Sequence, residues 1–201
     1  MEFLVVMTTK VPDGTSDETV ADVRSREAAH SKELAAHGRL LRLWRPPLQP
    51  GEWRSLGLFA APDEVQLEQV LASMPLRVWR TDEVTPLAPH PNDPELPPGN
   101  GATEFLTSFT TVVPPGTVQQ VVDDTFAAEA RRAKELADQE HLLRLWRLPG
   151  ERRALGLWRA RDGAELDAHL QSLPLAAWMT IETTQLTTHP GDPALGSSVG
   201  R

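Results

Sequence analysis

Two residues able to move a proton, Glu27 and His30, stand among apolar residues at a spacing that puts them on one side of a helix. Val20, Val23, Glu27, His30 and Leu34 follow the i, i+3, i+7, i+10, i+14 pattern of a helix face turned toward a sheet. The pattern returns at Val122, Thr125, Glu129, Arg132 and Leu136, so a carboxylate is directed inward twice. A carboxylate held away from water has two outcomes. It pairs with a cation, an arginine at the sheet edge being the ordinary partner, or it takes up a proton at a pH where carboxylates are normally ionised. The first outcome is structural, and the second is how a general base is tuned. His30 has a similar pair of readings, as a satisfied core imidazole or as a proton shuttle. Arg132 stands in its place in the second stretch and stays charged at any working pH, so the two sites are expected to differ in activity. The catalytic candidates are Glu27, Glu129 and His30.

Residues suited to holding a substrate lie close by in sequence. Arg42, Trp44, Arg45 and Trp53 fall in strand-like segments, with Arg144, Trp146 and Arg147 as the later counterparts of the first three. Arginines at strand ends can grip a carboxylate or simply lie solvated at the surface, and tryptophans can line a pocket or fill a core. Trp53 becomes Arg152, so the second pocket is not a replica of the first. The substrate-binding candidates are Arg132, Arg42, Trp44, Arg45, Trp53, Arg144 and Trp146. The chain has no cysteine, which removes thiolate nucleophiles, iron–sulfur clusters and Cys-ligated zinc. No histidine pair has metalloprotease spacing, no glycine-rich phosphate loop follows a strand, and no GxSxG elbow occurs, so chemistry without metal or cofactor is expected. The net charge of -8 disfavours nucleic acid and anionic lipid, leaving a small molecule or another copy of the chain as partner. No apolar run approaches the roughly 20 residues needed to cross a bilayer. Met1 leads directly into a strand-like run without the marks of a signal peptide, so a cytoplasmic protein is expected.

The elements that position these residues are set by a duplication. LLRLWR occurs at residues 40–45 and again at 142–147, each time preceded by Lys-Glu-Leu. An offset of 102 aligns Glu2-Phe3-Leu4 with Glu104-Phe105-Leu106, and after a short insertion an offset of 99 aligns His90-Pro91 with His189-Pro190. About half the aligned positions are identical. Copy one is read as residues 1–94, a Pro/Gly-rich linker as 95–102, copy two as 103–193 and a flexible tail as 194–201. The patterns predict strand Phe3–Thr9, a helix capped by Ser16 or Asp17 and closed at Gly38, strands Leu40–Arg45 and Trp53–Phe59, a helix capped by Asp63 and ending near Met74, and a last strand Arg77–Leu87. The order βαββαβ is the ferredoxin-like split βαβ. Large residues on both faces of strands such as Leu40–Arg45 lead to the expectation of an α+β fold in which two ferredoxin-like units form a dimeric α+β barrel within one chain.

At these residues the chain resembles the muconolactone delta-isomerase family. The resemblance rests on Glu2 to Thr8, Arg26-Glu27, Lys32-Glu33-Leu34, Leu41 to Arg45, Gly51-Glu52-Trp53-Arg54, Ser73 to Leu76 and His90-Pro91, and it extends over nearly all of both halves. It implies cofactor-independent isomerisation of muconolactone to 3-oxoadipate enol-lactone in the 3-oxoadipate pathway, with Glu27 matching the helix carboxylate and Glu129 its copy. It also implies assembly, because members pair as barrels and gather into decamers, so five copies of a fused chain would be the equivalent homo-oligomer. The position after Gly-Glu, often tyrosine in that family, is Trp53 and Arg152 here. Two alternatives stand beside this reading: an isomerase, cyclase or dehydrohalogenase acting on another lactone or polyketide-like compound, and a ligand-binding barrel without turnover.

Overall fold

The computed structural model describes residues 1–96 and 103–195. Each sequence copy folds as strand, helix, two strands, helix, strand. The first contains β1 Glu2–Thr9, α1 Asp17–Ala36, β2 Leu40–Arg45, β3 Arg54–Ala60, α2 Glu64–Ser73 and β4 Arg80–Pro89. The second contains β5 Thr103–Thr111, α3 Gln119–Asp138, β6 Leu142–Arg147, β7 Arg153–Ala160, α4 Gly163–Gln171 and β8 Met179–Thr188. Helix α1 begins where the sequence signals it, with the Ser16 hydroxyl accepting the Thr19 N–H at 3.2 Å, and Asp63 caps α2 in the same manner. The last strand of copy one starts at Arg80, three residues later than the pattern suggests. Pro75 opens a 3₁₀ turn, Pro75–Trp79, because its fixed φ suits a first helical position and it has no N–H to leave unpaired. Of the segments read as linker and tail, residues 97–102 and 196–201 lie outside those described.

The compact units in space are not the two copies in sequence. The first unit is Met1–Leu87 together with the C-terminal residues from Thr187, and the second is Ala88–Leu186. In the first, β1 lies between β3 and β4, β2 pairs with β3, and Thr187 and Thr188 at the end of β8 pair with Arg45 and Trp44 of β2. In the second, β5 lies between β7 and β8, β6 pairs with β7, and Ala88 and Pro89 at the end of β4 pair with Arg147 and Trp146 of β6. Each copy thus lends its last residues to the sheet edge of the other unit. That edge would otherwise present unpaired backbone groups.

In each unit one sheet face packs on two helices. Phe3, Val5 and Met7 of β1 meet Leu34 of α1 and Leu67, Val70 and Leu71 of α2 in one cluster. Phe105 and Phe109 of β5 meet Leu136, Leu166 and Leu170 in the other. Strand β6 carries a bulge between Leu142 and Arg144, as β2 does between Leu40 and Arg42. A bulge adds a residue on one strand and frees backbone groups there. Gly156 in β7 marks a close approach: a Cβ there would lie 2.5 Å from the Trp158 indole nitrogen, which donates to the Thr107 hydroxyl at 2.8 Å. Gly156→Ala is therefore expected to displace the ring, break that bond and destabilise the fold by about 1–3 kcal/mol. Chemical denaturation against the parent checks it.

Candidate active site

Each unit encloses a cavity between its first long helix and the sheet. The first unit's cavity, about 370 Å³, is lined by Glu27 of α1, Arg45 of β2, Trp53, Arg80 of β4 and His189. The second unit's cavity, about 540 Å³, is lined by Glu129 of α3, Arg147 of β6, Arg152, Met179 of β8 and His90. Both volumes suit a small organic molecule. The histidines arrive on the exchanged chain ends. His189 belongs to copy two by sequence yet walls the first unit's cavity, and His90 belongs to copy one yet walls the second's.

An aspartate anchors each of these loops. The Asp192 carboxylate, fully buried, accepts from Arg42 at 3.0–3.2 Å and from the Leu43 N–H at 3.2 Å. The Asp93 carboxylate accepts from Arg144 and the Leu145 N–H in the same way. Just before each aspartate the main chain turns and binds the imidazole: Gly191 N–H donates to His189 Nδ1 at 3.0 Å, and Asn92 N–H donates to His90 Nδ1 at 3.1 Å. An Nδ1 that accepts leaves the proton of the neutral ring on Nε2. Burial lowers the proton affinity of both imidazoles, the arginine on the strand end (Arg45 or Arg147) lowers it further, and the neighbouring aspartate opposes this in part. Each cavity thus combines a helix carboxylate, a strand-end guanidinium and an imidazole favoured as a neutral Nε2–H donor.

The helix carboxylates share one backbone contact and differ in their other surroundings. Glu27 accepts the Leu76 N–H at 2.9 Å and Glu129 accepts the Leu175 N–H at 2.9 Å, each at the turn before the last strand of its copy. Glu27 also receives Arg80 Nη1 at 3.2 Å, and Arg80 is bound on its other side by Asp82 at 2.6 Å. Asp82 in turn holds Arg77, which holds Glu68, so Glu27 ends a chain of alternating charges. In copy two the places of Arg77, Arg80 and Asp82 are taken by Ala176, Met179 and Ile181, while Arg24, Ser31 and Ser55 give way to Phe126, Ala133 and Ala154. Glu129 therefore faces a more apolar wall. Burial raises its proton affinity above that of an ordinary glutamate, with the Leu175 N–H opposing in part. A folded state that holds this proton more tightly than the unfolded chain loses stability as pH rises from the ordinary glutamate range to the raised value, and loses no more above it. Glu129→Gln keeps an oxygen for the Leu175 N–H and removes the charge. It is expected to raise Tm at pH 7, with the gain shrinking as pH falls into the ordinary glutamate range; melts across that range test this.

The structure brings Glu27, Arg45 and Trp53 to one cavity and Glu129 to the other. Both helix stripes face inward as their spacing predicts, but His30 and Arg132 do not line the cavities. His30 bonds Ser73 at 2.8 Å and Glu33 at 3.1 Å, and Arg132 bonds Ser172 and Glu135, so both tie the long helix to the end of the short one. Arg42 and Arg144 are likewise absent from the cavity walls; the carboxylates they hold are Asp192 and Asp93, and they lie 4.6 and 4.7 Å over the rings of the buried Trp44 and Trp146. Sequence reasoning missed His90, His189 and Arg80. The repeated His-Pro-x-Asp-Pro was the available signal for the histidines. Nothing in the sequence pointed to Arg80, because its match in copy two is Met179.

The fold and cavities define a pair of ferredoxin-like units, each with a cavity lined by acid–base and cationic side chains. A mutant chlorite dismutase from Candidatus Nitrospira defluvii has a similar fold, with TM-score 0.64 at 12% identity over 98% of this chain and 94% of that one. A haem-binding protein from Thermus thermophilus gives TM-score 0.61 at 11% identity over 98% and 95%. Likeness over that extent shows the fold to be of the dimeric α+β barrel class, with both units in one chain. The muconolactone delta-isomerase family matches residues 1–93 and again 103–192, and this chain belongs to that family. Among its relatives, muconolactone delta-isomerase 1 of Acinetobacter lwoffii is 32% identical over 92 residues, which is 46% of this chain and 93% of that protein. The muconolactone delta-isomerase of Cupriavidus pinatubonensis is 29% identical over 92 residues, 46% of this chain and 97% of its own length.

Proposed function

We propose that the chain is a cofactor-independent isomerase that moves a proton within a butenolide, converting muconolactone or a close analogue to the enol-lactone isomer. The observation that carries this reading is the Glu129 carboxylate, set against a more apolar wall than Glu27, with its proton affinity raised by burial. Such a group is a stronger base than a solvated glutamate and is better matched to neutral pH. Glu129 takes the proton from the ring carbon that bears the side chain, breaking that C–H bond. The electron pair spreads through the ring double bond onto the lactone carbonyl oxygen, and the same proton returns to the carbon two positions away, so nothing is gained or lost overall. Arg147 at the cavity wall supplies charge for the substrate carboxylate, and the His90 Nε2–H supplies a donor for the oxygen on which charge develops. Homo-oligomeric assembly, with five chains as the family's equivalent, and a cytoplasmic setting belong to the same proposal.

Incubation of the purified protein with muconolactone in deuterated buffer tests it. Enol-lactone formation, with isotope at the reprotonated carbon to the extent that Glu129 exchanges its proton between steps, is the expected result. Neither isomerisation nor exchange would turn the reading over to another substrate or to binding alone.

A further inference from the structure

The two cavities differ at the places that decide whether the helix carboxylate is free to react. In the first unit both oxygens of Glu27 are engaged, one by the Leu76 N–H and one by Arg80, and Arg80 is itself held by Asp82. The Arg80 and Asp82 side chains are each 2% exposed, so this arrangement is built into the interior and does not rearrange without exposing or stranding charge. In the second unit the corresponding Met179 and Ile181 carry no charge, and the hydrogen bond recorded for the Glu129 carboxylate, among the described residues, is that from the Leu175 N–H. A carboxylate whose oxygens are held by a buried guanidinium must break that contact before it can reach a carbon acid.

The first unit's cavity is nonetheless furnished for a ligand. Arg24 stacks over the Trp53 ring at 5.2 Å, and Arg45, Lys32 and His189 share the wall. Among the described residues none of Arg24, Lys32 and Arg45 is in an ion pair, and the cavity's one carboxylate is already taken by Arg80. Cationic groups beside an indole face suit a flat ring that carries a carboxylate.

We propose that the chain divides labour between its halves: the second unit's cavity turns the substrate over through Glu129, while the first unit's cavity binds a carboxylate-bearing lactone without converting it. This rests on the isomerase reading above. The arrangement assigns the first cavity as a holding or sensing site for the substrate or product of the second.

The test combines turnover with binding stoichiometry in the full chain. Glu129→Gln is expected to lower muconolactone turnover by about 10² or more, the ordinary contribution of a general base. The same variant, titrated calorimetrically with muconolactone, is expected to bind two lactones per chain, and Arg45→Leu added to it is expected to reduce this to one. Turnover near half that of the wild type in Glu129→Gln would mean that both halves react and would overturn the division. One lactone per chain in Glu129→Gln, or two per chain after Arg45→Leu, would overturn the first cavity as a binding site. A wild-type chain that does not isomerise muconolactone at all would instead remove the isomerase reading, and the division of labour with it.

Discussion

Met179→Arg combined with Ile181→Asp is expected to lower kcat/KM for butenolide isomerisation by about 10²-fold and to move the acidic limb of its pH profile to lower pH. The pair transplants into copy two the Arg80–Asp82 couple that binds Glu27 in copy one. An arginine at 179 brings a guanidinium to the carboxylate that burial now leaves with raised proton affinity, and the aspartate at 181 balances it so that no lone charge is buried. The sign follows from the base. Glu129 reacts when ionised, so in the wild type the rate falls as pH drops through the raised value, and a cation beside it shifts that fall downward. The paired charge makes it a poorer base at every pH above that limb, which is where the loss is read. The double substitution is informative because it copies an arrangement this chain already folds around, so a loss of rate with an unchanged melting temperature separates chemistry from damage. An unchanged profile would remove Glu129 from the proton path.

That contrast between copies also marks where the sequence was legible. Periodicity placed α1 and α3 and aimed Glu27 and Glu129 inward, since a helix face of period 3.6 is written in adjacent residues. The repeated LLRLWR and its flanks placed β2 and β6, though not the bulges those strands carry. What periodicity does not carry is which side chain ends beside which across the fold. His30 and Glu27 share a stripe, yet a helix face is wider than a cavity mouth, and His30 meets Ser73 at the end of α2 instead. Arg42 reads as a strand-end arginine open to substrate. It is closed by Asp192, 150 positions away, in a loop that pairs with the other copy's strand. The exchange of chain ends was invisible because the His-Pro loops match one another, and near-identical sequences do not say which copy each loop visits.

Asp192→Ala is expected to be the most destabilising single change outside the hydrophobic clusters, by about 3–5 kcal/mol, a fall in Tm of roughly 10 °C for a chain of this size. The Asp192 side chain has no exposure and its partner Arg42 has 8%, so removing the carboxylate strands a guanidinium in the interior. The Leu43 and Ala194 N–H groups lose their acceptor as well. Asp93→Ala removes the matching contact in the second unit, but Arg144 is 19% exposed and Asp93 8%, so water reaches the stranded group and the loss is smaller. The effects on function run in the opposite order. Asp192 anchors the loop of His189, which walls the cavity proposed to bind without turnover, whereas Asp93 anchors the loop of His90, the donor proposed for the reacting oxygen. Thermal melts should therefore rank Asp192→Ala as the less stable variant, and initial rates below both melting temperatures should rank Asp93→Ala as the less active. If the more destabilised variant were also the less active one, loss of fold alone would account for both, and the separation of roles between the two loops would fail.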